Sequence, residues 1–451
     1  VTAGFDAETY RRRRERFLEG IGGGVAILVA LPELVKSRDT SVRYRPDSDL
    51  FYLTGFAEPG AVAVLTPHDA EHRLTLFVRE RNPEREAWDG PRAGPEGARE
   101  HFAATAAYPM KELDERLKAL VEPADGIVYA LGSDAEMDGR VTGLLRGFRR
   151  TRPRTGKGPA EVRDPAVVLD RMRMIKEPAE LERIRAAAEI AARAHATAMR
   201  GARPGIGEWE LEAIVESTFR AAGPTAETAF PSIVGSGTNA TVLHYHDNSR
   251  RTEDGDLVLI DAGAALGLYC SDITRTFPVN GRFTPAQREV YEIVLAAEEA
   301  AIAAIRPGAP FSAIHQAALG VLVQGMIDLG LMTGTAEEVI EAKGHQRFFM
   351  HQTSHFLGLD VHDVGAYAKP DGSPVALEPG MVLTVEPGLY IPAADDVPER
   401  LRGVGVRIED DVIVTDEGHE VITRGVPVYP NQIEALVGQA IAPPDPSEGS
   451  P

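Results

Sequence analysis

The sequence predicts two domains of different class: an α/β domain over residues 1–172 and an α+β domain over residues 173–441 that contains an internal duplication. Three observations carry this reading. At 451 residues the chain is too long for one ordinary hydrophobic core. Its first third alternates short apolar runs with helical stretches. The remainder presents one order of elements twice, each time ending in strands that carry carboxylates.

In the first domain, residues 25–31, 61–66 and 74–78 are apolar runs of strand length, and 109–120 and 134–149 have the spacing of helices. No catalytic cluster falls among them. Arg11, Arg12, Arg13 and Arg14 read as the solvated face of a first helix over residues 10–18. No apolar segment follows them at once, so no secretory signal is read there. The chain opens on Val1 rather than methionine, which fits removal of an upstream segment. Residues 151–165, rich in Pro, Gly and Arg, read as a linker. A long helix is expected over 177–199, with Pro178 in its first turn. Residues 442–451 read as a disordered tail.

The duplication rests on paired segments. Ala202-Arg203-Pro204-Gly205 precedes a helix with apolar Leu211, Ile214, Val215 and Phe219, and Ile305-Arg306-Pro307-Gly308 precedes one with Ile314, Ala317, Ala318, Val321 and Leu322. Gly255 opens an apolar strand closing on Asp261, and Gly380 opens one closing on Glu386. A further strand follows each, carrying Asp272 or Glu409. One such match between buried strands could be chance; the shared order makes duplication the better reading. Each half then gives two carboxylates to a site on a pseudo-two-fold axis.

Composition narrows the function. No apolar run is long enough to cross a bilayer, and a net charge of −20 would repel nucleic acid, so neither is expected as a partner. The single cysteine, Cys270, excludes an intramolecular disulfide and suits a reducing compartment, so the expected location is the cytoplasm. Cys270 itself reads as a small buried strand residue.

The chemistry centres on residues 351–363, where His351, His355 and His362 stand at spacings of four and seven. A turn between Gly263 and Gly267 can fold Asp261 beside Asp272 as in a hairpin. Two close carboxylates do not both stay ionised without positive charge between them. Glu386 and Glu409 repeat the arrangement and His355 adds a nitrogen donor. Two divalent cations roughly 3.5–4 Å apart would satisfy such a set. Mostly oxygen ligands with one imidazole favour Mn²⁺, with Co²⁺, Fe²⁺ or Zn²⁺ also admitted. His351-x3-His355 has zincin spacing, but Gln352 stands where the catalytic glutamate belongs. Gly235-Ser236-Gly237 lacks the third glycine of a dinucleotide fingerprint.

These residues resemble a known family over nearly the whole chain. Asp49-Leu-Phe-Tyr-Leu-Thr-Gly-Phe56, Ile233-Val-Gly-Ser-Gly237, Leu243-His-Tyr245, Asp272-Ile-Thr-Arg-Thr-Phe-Pro278, the 355–365 segment, Val385-Glu-Pro-Gly-Leu-Tyr390 and Arg407-Ile-Glu-Asp-Asp411 are similar to motifs of the pita-bread metallopeptidases, aminopeptidase P among them. The resemblance implies a creatinase-like first domain that caps the site or joins subunits, and a pita-bread catalytic domain. It implies that Asp272 and Glu409 bridge two metals, Asp261 holds one, and His355 with Glu386 hold the other. The implied reaction releases the residue ahead of a proline at position two, by attack of a metal-bridging hydroxide. Glu386 would shuttle the proton, His244 and His362 would orient substrate and stabilise the tetrahedral intermediate, and His351 would support the pocket. Arg407 would pair with Asp261, and Tyr390 would line the same pocket.

Trp88 matches a tryptophan that reaches a neighbouring subunit's site in some relatives, implying a homo-oligomer, dimer or tetramer; packing on its own domain is an equal reading. His246 reads as a solvated turn residue. Gln352, Thr353 and Phe356 depart from the family pattern beside the histidines, so first-residue preference or peptide length is expected to differ. The rival enzyme is a prolidase, restricted to Xaa-Pro dipeptides. A metal-free binding scaffold on the same fold is disfavoured, since all five ligand positions are kept.

Overall fold

The computed structural model describes residues 4–439; the tail expected at 442–451 lies outside them. The chain divides between Met172 and Arg173 into two compact units.

The first unit is built on a mixed six-stranded sheet. Val25–Val29 lies inside it, antiparallel to Val62–Leu65 and parallel to Gly126–Val128. Leu74–Val78 and Ala106–Pro109 extend one side, and Glu161–Arg163 closes the other. Val25, Ile27, Val62, Val64 and Phe77 pack with Leu113, Leu117 and Val121 of the helix Leu113–Val121. The first helix, Ala7–Ile21, starts where Asp6 accepts from the Thr9 amide at 2.7 Å.

Two expectations fail here. Arg13 and Arg14 are buried, not solvated. Arg13 stacks 4.2 Å over the Tyr52 ring and Arg14 donates to the Leu53 carbonyl at 3.0 Å. The unbroken run of charges from Arg11 to Arg16 winds around the helix, so part of it must face inward. The segment 151–165 is not a linker either. Helix Ala135–Thr155 runs through Pro153 into it, and Glu161–Arg163 pairs in parallel with Gly126–Val128. Composition signals a turn at Gly156, but strand addition is a long-range event that composition does not report.

In the second unit, helix Pro178–Gly201 begins with Pro178 and a reciprocal cap between Glu177 and Glu180. It packs on Glu208–Ala221, as Pro285–Ala303 packs on Ser312–Asp328. Each helix pair accompanies a three-stranded antiparallel sheet: Ile233–Ser236, Leu257–Asp261 and Thr274–Pro278 in one half, and Val382–Val385, Asp410–Val414 and His419–Val421 in the other. Asp261 faces Thr274 across the first, and Val385 faces Asp410 across the second. A bridge from Thr274 to Glu409 joins the halves where the carboxylates gather.

Candidate active site

Asp261 closes the strand Leu257–Asp261, and Glu386 directly follows Val382–Val385. Glu409 sits between Gly405–Arg407 and Asp410–Val414. Asp272, expected within a strand, instead lies between Tyr269–Cys270 and Thr274–Pro278. Glycine at 263 permits the fold-back there: a Cβ at this position would lie 1.8 Å from the Ser271 carbonyl oxygen. Any larger residue would push apart the two backbones that bring Asp261 and Asp272 together. Cys270 is buried on its strand, as read from the sequence.

These residues form the floor of a cavity of about 900 Å³ in the second unit. One ligand atom from each of Asp272, His355 and Glu409 falls within 4.8 Å of the others. His355 Nε2 lies 3.6 Å from Asp272 Oδ2 and 3.7 Å from Glu386 Oε1. The Phe356 carbonyl accepts from His355 Nδ1 at 3.0 Å, which leaves the Nε2 lone pair facing the carboxylates. Arg407 donates to Asp261 at 2.6 Å, and the Thr274 hydroxyl donates to Glu409 at 2.6 Å.

This cluster is over-supplied with acid. Burial first, then the charges of Asp261, Asp411 and Glu386, push the Asp272 carboxyl well above its ordinary range. Glu409 is pushed up in the same way, by burial and then by Asp272 and Glu386. Burial raises Glu386 to about 6. Asp261 Oδ1 and Asp272 Oδ1 are buried yet meet no hydrogen-bond donor among the described residues. Buried acceptors without donors are costly, and a cation is the partner that satisfies carboxylate oxygens and the His355 nitrogen together. The donor set therefore fits divalent metal.

Two neighbouring histidines, His351 and His362, are held toward the neutral form. Burial, then the Arg407 charge, lowers His351 to about 4. Its Nδ1 donates to the Gln352 carbonyl at 2.8 Å and its Nε2 accepts from Tyr390 at 2.8 Å. Tyr390 does not line the cavity as expected. It is buried behind the wall, where its hydroxyl links His351 to Arg407 Nη1 at 3.1 Å. Burial also lowers His362, whose ring stands edge-on to His355 at 4.5 Å. His244 faces the cavity, and so does His246, stacked on it at 6.3 Å. His246 is exposed but is not merely a turn residue.

Other wall residues were not singled out in the sequence. His315, on helix Ser312–Asp328, meets the Thr353 hydroxyl at 2.9 Å, so the departure at Thr353 has a partner. Phe311 and Tyr367 pack edge-on at 4.8 Å on the same wall. A polar residue interrupting an apolar helix face was the available signal for His315. Trp88 lies on the short helix Pro83–Asp89 of the first unit and is 86% exposed.

Behind Glu409, fully buried Arg275 donates to the Glu409 carbonyl and to Asp410 Oδ1, each at 2.6 Å. Arg275, with Arg424, holds Asp410 at about 2 against the opposing effect of burial. Replacing Asp410 with alanine leaves Arg275 without its carboxylate and should cost about 3–5 kcal/mol, read by denaturant unfolding. A loss under about 1 kcal/mol would show that solvent reaches the pair.

Known proteins share this architecture. Residues 182–416 match metallopeptidase family M24, and residues 10–129 match the aminopeptidase P N-terminal domain. The chain is 42% identical to the Xaa-Pro aminopeptidase of Escherichia coli (strain K12), over 95% of this chain and 97% of that one. Its structure is similar to that of aminopeptidase PepP of Pseudomonas aeruginosa, with a TM-score of 0.92, 44% identity, and 96% and 98% of the two chains covered. It is also similar to a zinc-substituted E. coli aminopeptidase P in complex with product, with a TM-score of 0.91, 42% identity, and 96% and 98% covered.

Proposed function

The chain belongs to metallopeptidase family M24, and from that premise we propose that it is a dinuclear-metal Xaa-Pro aminopeptidase. The observation that carries the reading is the cluster of buried Asp261, Asp272 and Glu409 with half-buried His355 and Glu386, in which two carboxylate oxygens meet no donor among the described residues, at the floor of an open cavity. Asp272 and Glu409, one from each half, would hold the metal together with Asp261, His355 and Glu386. Bound there, divalent cations, Mn²⁺ by preference, would depress the pKa of water and polarise the scissile carbonyl.

The protein's own groups do the rest. Glu386 takes the proton of the attacking water and passes it to the leaving nitrogen. His244 and His362 face the cavity and donate to the substrate carbonyl as its oxygen gains charge. His351 is held by Tyr390, and Arg407 fixes Asp261. A bond before proline is a tertiary amide with no N–H, so its recognition needs an apolar wall rather than an acceptor. Phe230, Pro231, Leu243, Phe311 and Val361 provide one. We further assign the enzyme to the cytoplasm and to a homo-oligomer in which the first domain, residues 1–172, caps a neighbour's site through exposed Trp88.

The test is hydrolysis of Arg-Pro-Pro and of Ala-Pro by chelated and Mn²⁺-reloaded protein. Metal-dependent release of arginine with little dipeptide cleavage is expected. The reverse preference would make it a dipeptidase, and no cleavage of either would remove the peptidase reading.

A further inference from the structure

The segment that carries His244 has no regular structure of its own. Residues 243 and 244 form a turn, and among the described residues 245–249 belong to no helix or strand. Side chains anchor the segment. Asn248 is one anchor: its side chain accepts from the Val234 amide and donates to the Ser232 carbonyl, both at 2.9 Å. The other is Glu208, the fully buried first residue of helix Glu208–Ala221.

Glu208 collects five donors. Its Oε1 accepts from the Ser236 amide and hydroxyl, both at 2.7 Å, and from Asn239 Nδ2 at 3.1 Å. Its Oε2 accepts from the Tyr245 hydroxyl at 2.9 Å and the Arg250 amide at 2.8 Å. The Tyr245 hydroxyl in turn accepts from Asn239 Nδ2 at 2.9 Å and from the Ser249 amide at 3.3 Å. One carboxylate thus ties both ends of the irregular segment and the residue adjoining His244 to a helix start. The Tyr245 ring also packs against Ile233 and Leu259 of the neighbouring sheet and against Ala240 of the short 3-10 helix Gly237–Thr241. A buried carboxylate satisfied on every side in low dielectric is a rigid hub.

We propose that Glu208, acting through Tyr245, is the positioning residue for His244. It fixes the segment so that the imidazole reaches the cavity at one distance from the cluster floor, without itself touching substrate. Geometry held to fractions of an ångström is what a hydrogen-bond donor to a developing charge requires. The proposal rests on the reading of the site as an aminopeptidase, and its test separates the two.

Tyr245→Phe removes one hydroxyl and keeps the packed ring, so the variant is expected to fold. It should lower kcat on Arg-Pro-Pro by about tenfold with KM nearly unchanged. In a His244→Ala background the same substitution should change kcat by less than about twofold, because the group it positions is gone. Glu208→Gln, which turns an N–H₂ toward groups that are themselves donors, should show the same non-additivity with a larger loss. Equal losses in both backgrounds, or an unchanged kcat, would overturn the proposal. If the wild type cleaves no peptide, the aminopeptidase reading falls, and hydrogen exchange still decides positioning. Tyr245→Phe should then speed exchange in residues 239–250 and leave 257–261 and 382–386 at wild-type rates. Unchanged exchange in 239–250 would overturn it.

Discussion

Asp272→Asn is expected to abolish peptide cleavage while leaving the metal-free protein at least as stable as the wild type. Asparagine keeps the shape of the side chain and removes one of the charges crowded at the cavity floor. The carboxyl at 272 is pushed up by burial, then by Asp261, Asp411 and Glu386, so its ionised form is the costly one in the folded apoprotein. Removing that charge relieves repulsion but takes a carboxylate away from the proposed metal cluster. Cleavage should fall by about 10³-fold, equivalent to about 4 kcal/mol of transition-state stabilisation. Metal content after dialysis should drop alongside it, and the melting temperature of the chelated variant should match or exceed that of chelated wild type. Activity retained within about tenfold would place the essential cation elsewhere. A variant that melts lower without metal would mean that Asp272 serves the fold and not the site.

Removing the metal should make stability depend on pH in a defined direction. Asp272 and Glu409 have folded pKa values above their unfolded ones, and Glu386 is raised to about 6 from 4.5. Folded apoprotein therefore holds protons that the unfolded chain has released. Its stability is highest where all three are protonated in both states and falls as pH rises through the ordinary carboxylate range toward and beyond 6. Glu386 alone accounts for about 2 kcal/mol of that loss. Bound cations reverse the sign, since they need the carboxylates ionised and bind more tightly as pH rises. The gap in melting temperature between Mn²⁺-loaded and chelated protein should widen from a few degrees near pH 5 to roughly 10 °C near pH 8. A gap that is constant across this range would mean that the cluster does not bind the ion. A gap that narrows would mean that the three carboxylates are not raised in the folded apoprotein.

Substitutions at the Tyr245 hydroxyl and at Asp410 differ from these in kind. Asp410 binds the halves of the catalytic unit together behind Glu409, whereas Tyr245 and Glu208 set the place of one histidine. Their effects should be read on stability in the first case and on turnover in the second.

The sequence by itself determined much of this protein, wherever the information is local. Strand-length apolar runs closing on Asp261 and Glu386 are visible because a strand writes its length and its terminal polar residue into consecutive positions. The duplication is visible because two copies can be compared along one chain, and the paired helices and sheets of the second unit repeat in the same order. The family could be recognised for the same reason, from contiguous motifs around the five candidate ligands. What only the tertiary structure decided depends on groups that meet across many residues. Arg13 reaches Tyr52 and Arg14 reaches Leu53, so arginines that look like surface are core. Residues 161–163 join a sheet through strand Gly126–Val128, which their own composition does not announce. Tyr390 retreats behind the wall to link His351 with Arg407, and His315 comes forward to meet Thr353. Glu208 gathers donors from as far along the chain as Arg250. Burial and hydrogen-bond satisfaction belong to the folded assembly as a whole, and no window of sequence contains them.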